Sequence, residues 1–500
     1  MRRVAEQLEL SRELLVVVGN ADYRVFRDRL ERIDELLRLS GLENDYVERR
    51  LAAWQAEGRS AAQRKGEPYA PPSGQEQARF QKMCRQALRC NLARQLTEKE
   101  YRKFSRRLAD SPLLQRFCRI ERVEVVKVPS KSTLERYDKM APEWEIRELV
   151  NVLNRQAVTE AERLELAEAL ALDVYFSDTT CVKAPIHFPT DWVLLRDGVR
   201  TLMKGVKLIR RHGLKHRMPA PEVFLQQVNR LSMEMSQSRR RPDSAKRRKA
   251  ILRQMKRLTK VVRRHAQRYV QRLQQDWKQT DLSEGQMKRI VLRLQGVIGQ
   301  LPEAIRQAHE RIIGGRQIEN RDKILSLYEP DVHVIVRKKA DAEVEFGNTL
   351  LLAEQRQGLI LDWKLEQGIS RGDGAMLPPS VERVKAAIGR YPRAAGADRG
   401  FDSQGNRRWL KEHGITNALC PRSPQQLKDR MRGTAFRRIQ KRRAQTEGRI
   451  AILKNDFLGR PLRSKGFAHR EKAVAWAILA HNLWLLTNLP CAGEALQKAA

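Results

Sequence analysis

The chain changes texture three times, and those changes constrain its fold more than any single motif. Up to about residue 155 it reads as helices. Residues 171–188, ALDVYFSDTTCVKAPIHF, are rich in β-branched and aromatic residues and read as a strand with a hairpin or extended continuation. Residues 192–313 return to helical spacing. At 331 the β texture resumes in VHVIVRK, EVEFGNTLLLAE and GLILDWKLE, two or three strands joined by tight Gly or polar turns. A chain of 500 residues arranged in such blocks is too long for one compact core and predicts two to four domains.

Within the front block, Phe26, Leu30, Ile33, Leu36 and Leu37 repeat at helical spacing and Gly41 is a stop. The segment from 58 to 77, with Gly and Pro clustered at 66–74, reads as a loop. Helices resume over 76–94, 98–109 and 112–118. A short β-prone stretch, IERVEVVKVP, follows, then Ser132 with Glu135 as a capping box, and a helix over 143–154. After the second β block the reading is a helix from PPSVE to 389 and a short strand at Ala394–Asp398. A helix at 404–413 ends at Gly414 and precedes a strand at Thr416–Cys420. A long helix over 428–456, a Gly/Pro break at 459–461 and an apolar helix over 470–488 complete the chain.

Charge points to the partner. Lys and Arg number 98 against 60 Asp and Glu, a net +38, so a polyanion is implied, nucleic acid before a membrane surface. A basic surface kept for solubility is the plainer alternative. At 41% hydrophobic residues the chain can still bury cores. The densest charge runs from Arg239 to Arg272, with fifteen Lys or Arg and one acid, Asp243. Through it Ile251, Met255, Leu258, Val262, Tyr269 and Leu273 keep an apolar stripe, and a second stripe runs from Met287 to Leu301. This pair predicts an antiparallel helical hairpin, either a structural coiled coil or an arm that meets nucleic acid through Arg247, Arg248, Lys256, Arg257, Arg263 and Arg264. Six Cys without zinc spacing read as reduced thiols in a cytosol-like compartment. No apolar run approaches the roughly 18 residues that a membrane span needs, and the charged start does not read as an export signal.

Three acids stand at special places. Asp178 lies in the first β stretch, in FSDTTC. Asp398 ends a short strand, in AGADRGFDS. Glu447 lies within the long helix, in RRAQTEGRIAILK. On that helix Gln440, Arg443, Glu447 and Lys454 fall on one narrow face, with Ile439, Ile450 and Leu453 on its flank. A surface ion-pair ladder would give the same pattern. Asp173, Asp191, Asp362, Asp373 and Asp402 are competing acids, Asp402 reading as the N-cap of the helix near 404. His187 and His333 read as structural.

This arrangement resembles the DDE transposases of bacterial insertion sequences. Asp178, Asp398 followed by Gly400-Phe401, and Glu447 match that family's acids in order and context. Arg443, Glu447 and Lys454 match the intervals of its tyrosine, arginine, glutamate, lysine signature, with Gln440 in place of the tyrosine. DTTCVKAPIHFPTDWVLL, EFGNTLLLAEQRQGLILDW and AWAILAHNLWLL are similar to its first strand, next strands and closing helix, so the resemblance covers about 170–490. A KSTLERY block resembles the family's approach to the core.

The resemblance implies an α/β fold: a ribonuclease-H-like mixed five-stranded sheet with flanking helices, behind a helical N-terminal region and with a long basic helical insertion. The divisions implied are a helical DNA-binding region at 1–155, a catalytic core at 171–191 and 331–490, and the insertion at 192–320. It implies Asp178, Asp398 and Glu447 as ligands of Mg2+, for which Mn2+ would substitute, in a pair of ions. Asp and Glu suit such hard cations, and a pair about 3.5–4 Å apart suits in-line displacement at phosphorus. It also implies Arg443, Lys454 and Arg399 on DNA phosphates. The implied activity is cleavage of element ends and joining of the freed 3′-OH to target DNA, by a homodimer on double-stranded DNA in a bacterial cytoplasm. No GxxxxGK[ST] motif suggests a nucleotide. Residues 76–118 are the expected reader of the ends. The alternatives are a metal-dependent nuclease that does not join, an inactive transposase-derived DNA-binding protein, and a basic structural or RNA-binding protein. Only 6% aromatic residues argue against the last.

Overall fold

A computed structural model describes residues 14, 16–122, 125–238, 242–336, 344–459 and 462–492. Residues 1–13, the head of the basic run at Arg239–Arg241, the end of the VHVIVRK stretch at Arg337–Lys338, Glu343, and Arg460 and Pro461 of the Gly/Pro break lie outside the described residues.

Among the described residues the front block is seven helices: α1 Ala21–Leu39, α2 Leu42–Lys65, α3 Gly74–Leu96, α4 Tyr101–Asp110, α5 Pro112–Phe117, α6 Lys131–Lys139 and α7 Glu143–Thr159. Asn20 caps α1 by accepting the Tyr23 N–H, and Leu30, Ile33, Leu36 and Leu37 are its buried stripe. The chain turns into α2 at Gly41, whose φ of 72° is the left-handed region that glycine adopts without strain. The helix near 133 starts earlier than its sequence suggested. Ser130, not Ser132, is the N-cap, accepting the Thr133 N–H at 3.3 Å, so no box forms with Glu135. Among the described residues of the IERVEVVKVP stretch an isolated bridge, Glu121 with Val126, is the β structure formed.

Strand β1, Val174–Lys183, follows, then α8 Asp191–Arg211, α9 Pro221–Gln237, α10 Ser244–Asp276 and α11 Glu284–Ala308. The remainder is β2 His333–Val336, β3 Val344–Glu354, β4 Ile360–Leu365, α12 Asp373–Ile388, β5 Ala394–Ala397, α13 Gln404–Glu412, β6 Thr416–Asn417, α14 Pro424–Met431, α15 Thr434–Ile452 and α16 Phe467–Leu486. Helix α12 begins five residues before the Pro pair, which its second turn accommodates. The helix expected over 428–456 is divided: Gly433 separates α14 from α15, and a π-helical turn, Leu453–Leu458, extends the latter.

Among the described residues the sheet is mixed and has six strands, in the order β2-β3-β1-β5-β6, with β4 also on β3. It is compatible with a ribonuclease-H-like core. The strand beyond the expected five is β2. It pairs with Val344–Gly347 while β4 pairs with Leu350–Glu354, so the two share one edge of β3 end to end. The first β stretch makes no hairpin of its own. β1 is the sheet's centre, antiparallel to β3 and parallel to β5, with Asp178 opposite Leu352. Gly347 lets β3 approach, since a Cβ there would overlap the Val182 carbonyl.

Two cores result. One joins the sheet to the front helices: Leu30, Leu149 and Leu153 share it with Leu350, Trp363 and Trp476. The other lies within α8–α11 and holds Leu195, Val206, Met255, Val262, Leu294 and Leu301. The α10 stripe is buried as its periodicity required. α10 and α11 run antiparallel: Lys256 meets His309, and Arg263 meets Ile298. Helix α16 is apolar on nearly all sides and is enclosed accordingly. Its Asn482 accepts the Ile360 N–H at 3.1 Å and donates to the Ile360 carbonyl at 2.8 Å, closing β4 where no strand continues the sheet.

Candidate active site

The parallel register of β1 with β5 pairs Ser177 with Ala397. One step further along both strands stand Asp178 and Asp398, neighbours at the point where β5 ends. Asp178 is half-buried and accepts its neighbour's backbone N–H, Thr179, at 2.7 Å. Burial pushes its carboxyl up to about 6. The Thr179 N–H opposes the rise, the negative charges of Asp398 and Glu447 add to it, and Arg443 lowers it. The first acid singled out in the sequence therefore lies within the field of the other two. Asp398 accepts the Gly400 N–H at 2.8 Å in a tight turn that buries Phe401 completely.

Glu447 comes from α15, which crosses the sheet. Ile450 and Leu453 bury its flank, and Glu447 itself is exposed. The helix is held at several points. Ile439 packs where β5 has Gly396, at which a Cβ would lie 3.1 Å from the isoleucine methyl. Gln440 donates to the Ala418 carbonyl at 2.6 Å, so the residue in the tyrosine position ties α15 to the end of β6. Arg449 pairs with Glu354 of β3 at 3.2 Å. Lys454 donates to the Cys181 carbonyl at 2.8 Å and to Thr180 Oγ1 at 3.2 Å, both on β1 just past Asp178. Arg443 is half-buried, and its Nε has no hydrogen-bond partner among the described residues.

Four of the competing acids are engaged elsewhere. Asp362 is held by Arg383 at 2.6 Å, by Arg147 at 3.2 Å and by Ser380 at 2.6 Å. Asp191 pairs with Arg311 at 2.9 Å, and Asp173 lies 3.7 Å from Arg356. Asp402 is not the N-cap of α13; Ser403 is. Asp402 instead takes Arg407 at 2.7 Å and the Arg422 N–H at 3.2 Å. Burial would raise its carboxyl, and those bonds with the charges of Arg407 and Arg430 hold it below the usual range.

Asp373 is different. At the start of α12 it accepts a hydrogen bond from Thr179 Oγ1 at 2.9 Å. A Cβ on Gly400 would lie 2.6 Å from its Oδ2 and 3.0 Å from Asp398 Oδ1. Asp373 and Asp398 thus flank the same glycine, and a fourth carboxylate borders the cluster. Its sequence position gave little signal, because α12 seemed to begin at the later prolines. His333 Nε2 donates to the Gln367 carbonyl at 3.0 Å, and His187 is exposed.

Arg399, beside Asp398, is exposed. The basic residues of α10 belong to the second core and not to the acid cluster. There Arg257 and Arg264 are exposed, and Arg247, Arg248, Lys256 and Arg263 are half-buried. In the front block part of the positive charge is spent internally. Arg89 is buried on Glu43 at 2.5 Å, and Arg94 lies on Asp138 at 3.1 Å. Helix α4 in contrast buries Phe104 and Leu108 and exposes Arg102, Lys103, Arg106 and Arg107.

The donor set around Asp178 consists of carboxylate oxygens alone, which fits a hard divalent cation. The set is open: among the described residues no three His, Cys, Asp or Glu side chains stand close enough together to hold a metal ion. Asp178 feels the charges of Asp398 and Glu447 without the three forming a closed cage.

Residues 338–483 match the family described as the transposase DDE domain. The chain carries the DDE domain of a transposase, an enzyme class that acts on DNA and typically uses divalent metal ions. No curated protein and no solved structure matches it. The matched stretch contains Asp398 and Glu447 and begins well after Asp178, because α8–α11 intervene. The first acid is set beside the second by the β1–β5 register, and Lys454, just past α15, ties the helix of the third to β1. Among the described residues no helix is long and apolar enough to cross a membrane.

Proposed function

We propose that this chain is a DNA transposase that cleaves the ends of its own element and joins the freed 3′-OH to target DNA, with Asp178, Asp398 and Glu447 as the catalytic acids. The observation that carries the reading is geometric: the parallel register that pairs Ser177 with Ala397 sets Asp178 beside Asp398, and α15, tied to β1 through Lys454, brings Glu447 to the same side. Like charges gathered where β5 ends destabilise one another, and a site that keeps them so has a use for a cation. The path β4-β3-β1-β5-β6 supports a ribonuclease-H-like core, in which β2 is an addition.

The three carboxylates would hold Mg2+ or Mn2+, which when bound stabilises the attacking and leaving oxygens at phosphorus. The chain's own groups set the geometry. Thr179 fixes the Asp178 carboxylate, the Gly400 N–H fixes Asp398, and the Glu354–Arg449 pair fixes the helix that presents Glu447. Arg443, with an uncommitted donor beside Asp178, orients a phosphate. Lys454 braces β1 in this arrangement and stands next to any strand that reaches the acids. The exposed basic face of α4 is the strongest candidate in the front block for contact with the element's ends, within the 76–118 stretch.

The test is divalent-ion-dependent cleavage of DNA carrying the gene's own flanks by wild type, Asp178→Asn, Asp398→Asn and Glu447→Gln. Discrete cuts by wild type only, with DNA affinity of the variants within about threefold, are expected. A strand-transfer product separates a transposase from a nuclease. Cutting retained by any one variant removes that residue from the site, and binding without cutting by wild type would make the chain a DNA-binding derivative.

A further inference from the structure

We propose that the cavity between α10 and α11 is a built site for one phosphate group of the DNA backbone, formed by Lys256, Lys260, Arg263 and His309. The proposal rests on the transposase reading for the identity of the polyanion and on nothing else in it.

The cavity is about 280 Å³ and is lined by Lys256, Lys260 and Arg263 from α10 and by Pro302, Arg306 and His309 opposite. The three α10 residues are spaced by four and three, so they lie on one face. Proline explains how the site is held. Pro302 has no N–H, so the Ile298 carbonyl, four residues earlier, loses its partner within α11. Arg263 Nε replaces that donor at 3.0 Å. The guanidinium is thereby fixed at the cavity, and no hydrogen bond or ion pair among the described residues engages its two terminal nitrogens. A pinned, planar fork is suited to phosphate oxygens.

The other groups agree. Lys256 Nζ lies 2.9 Å from His309 Nδ1. An ammonium only donates, so Nδ1 accepts and the imidazole carries its proton on Nε2, where it is a donor. Among the described residues no acid comes within ion-pair distance of Lys256, Lys260 or Arg263, whereas Arg306 has Glu303. Burial, Lys260 and Arg253 lower the Lys256 ammonium below its usual range, against a smaller opposing effect of Glu310. Other cations drawn out of solvent in this protein do pair with acids, as buried Arg94 does with Asp138 and half-buried Arg147 with Glu143. The cavity gathers positive charge and leaves the counter-charge to a ligand. A free phosphate would satisfy the same donors. The backbone of DNA is favoured because exposed Arg253, Arg257, Arg264 and Arg268 continue the positive surface along α10 beyond the cavity.

The experiment is a salt titration of duplex binding by the full chain, read by fluorescence anisotropy. Arg263→Lys keeps the charge and loses the fork and its anchor. Lys260→Gln removes one exposed charge, a change the fold tolerates. Arg257→Gln, outside the cavity, is the control. The expected results are about tenfold weaker binding for Arg263→Lys at an unchanged salt slope, and a slope smaller by about 0.9 for Lys260→Gln. Binding of Arg263→Lys within about twofold of wild type, with melting curves unchanged, would overturn the proposal and leave only diffuse charge. Thermal stabilisation by inorganic phosphate that Lys260→Gln abolishes, with DNA binding unaltered in every variant, would overturn it in favour of a small anion. Cleavage of flanking DNA by the same preparations keeps the two readings apart. Wild-type cleavage with no effect in the cavity sinks this proposal alone, and cavity effects without wild-type cleavage sink the catalytic reading alone.

Discussion

His481 offers a pH test of how α15 is held over the sheet. It is 2% exposed on α16, with Nδ1 3.0 Å from Asn482 Oδ1, and Nε2 3.4 Å from Arg449 Nη1. The neutral ring satisfies both, donating to Asn482 and accepting from Arg449. Burial drives its pKa down to about 4; the Asn482 bond opposes this and the Arg449 charge adds to it. In the unfolded chain the ring titrates near 6.5. The unfolded state therefore takes up the proton first on acidification. The stabilisation is complete above about pH 6.5 and is lost as pH falls toward 4. At about 1.4 kcal/mol per unit, the difference between pH 7.5 and 4.5 comes to about 2.5 kcal/mol from this one group. Arg449 lies two residues past Glu447 and is the residue that pairs with Glu354. A protonated His481 would set a second cation against it, so acid should loosen the helix that carries the third acid. Urea denaturation of wild type and His481→Gln at both pH values isolates the contribution, since the other groups are common to both. Wild type should lose about 2.5 kcal/mol more than the variant across that interval. Equal losses would refute the argument that a neutral buried imidazole holds this junction.

Two glycines probe the same framework. Gly358 has φ 95° and a Cβ there would overlap the Arg449 guanidinium, so Gly358→Ala should cost roughly 2–4 kcal/mol in a thermal melt and reduce cleavage; wild-type stability would show that Arg449 does not lock the β3–β4 turn to α15. Gly400→Ala would press on Asp373 and Asp398 together and should lower the cleavage rate by about tenfold or more, with DNA affinity unchanged. Adding Asp373→Ala should recover part of that rate, and a Gly400→Ala enzyme cutting at the wild-type rate would count against Asp398 in the site.

Periodicity reports which face of an element is buried and is silent on what it is buried against. That distinction separates what could be read in advance from what could not. The stripe from Ile251 to Leu273 was legible because it depends on one helix alone. The front helices were equally legible as helices, yet their core is the core of the sheet, a fact of long-range packing that no local spacing contains. The acids divide in the same way. Asp178, Asp398 and Glu447 could be picked out by context, but their meeting depends on a four-residue strand, β5, whose register with β1 has no signature of its own. Asp373 was obscured by a local rule, that a proline pair begins a helix, where α12 carries both prolines in its interior.

The block of α8–α11 shows what that organisation permits. It leaves after β1 and returns before β2, between the strand bearing the first acid and the strands that pair with it, the place where an added block would most readily disturb the register. It does so with a core of its own, built from α8–α11, while β1 is held by β3 along its length and by β5 at its start. The alignment of Asp178 with Asp398 is thus decided by main-chain pairing inside one core, and the positive arm is stabilised by apolar packing inside another. Charge can be concentrated on α10 without placing its mutual repulsion on the carboxylates. DNA affinity and cleavage should for that reason respond to separate sets of substitutions, those in α10 moving affinity and its salt dependence, those along β1, β5 and α15 moving the rate.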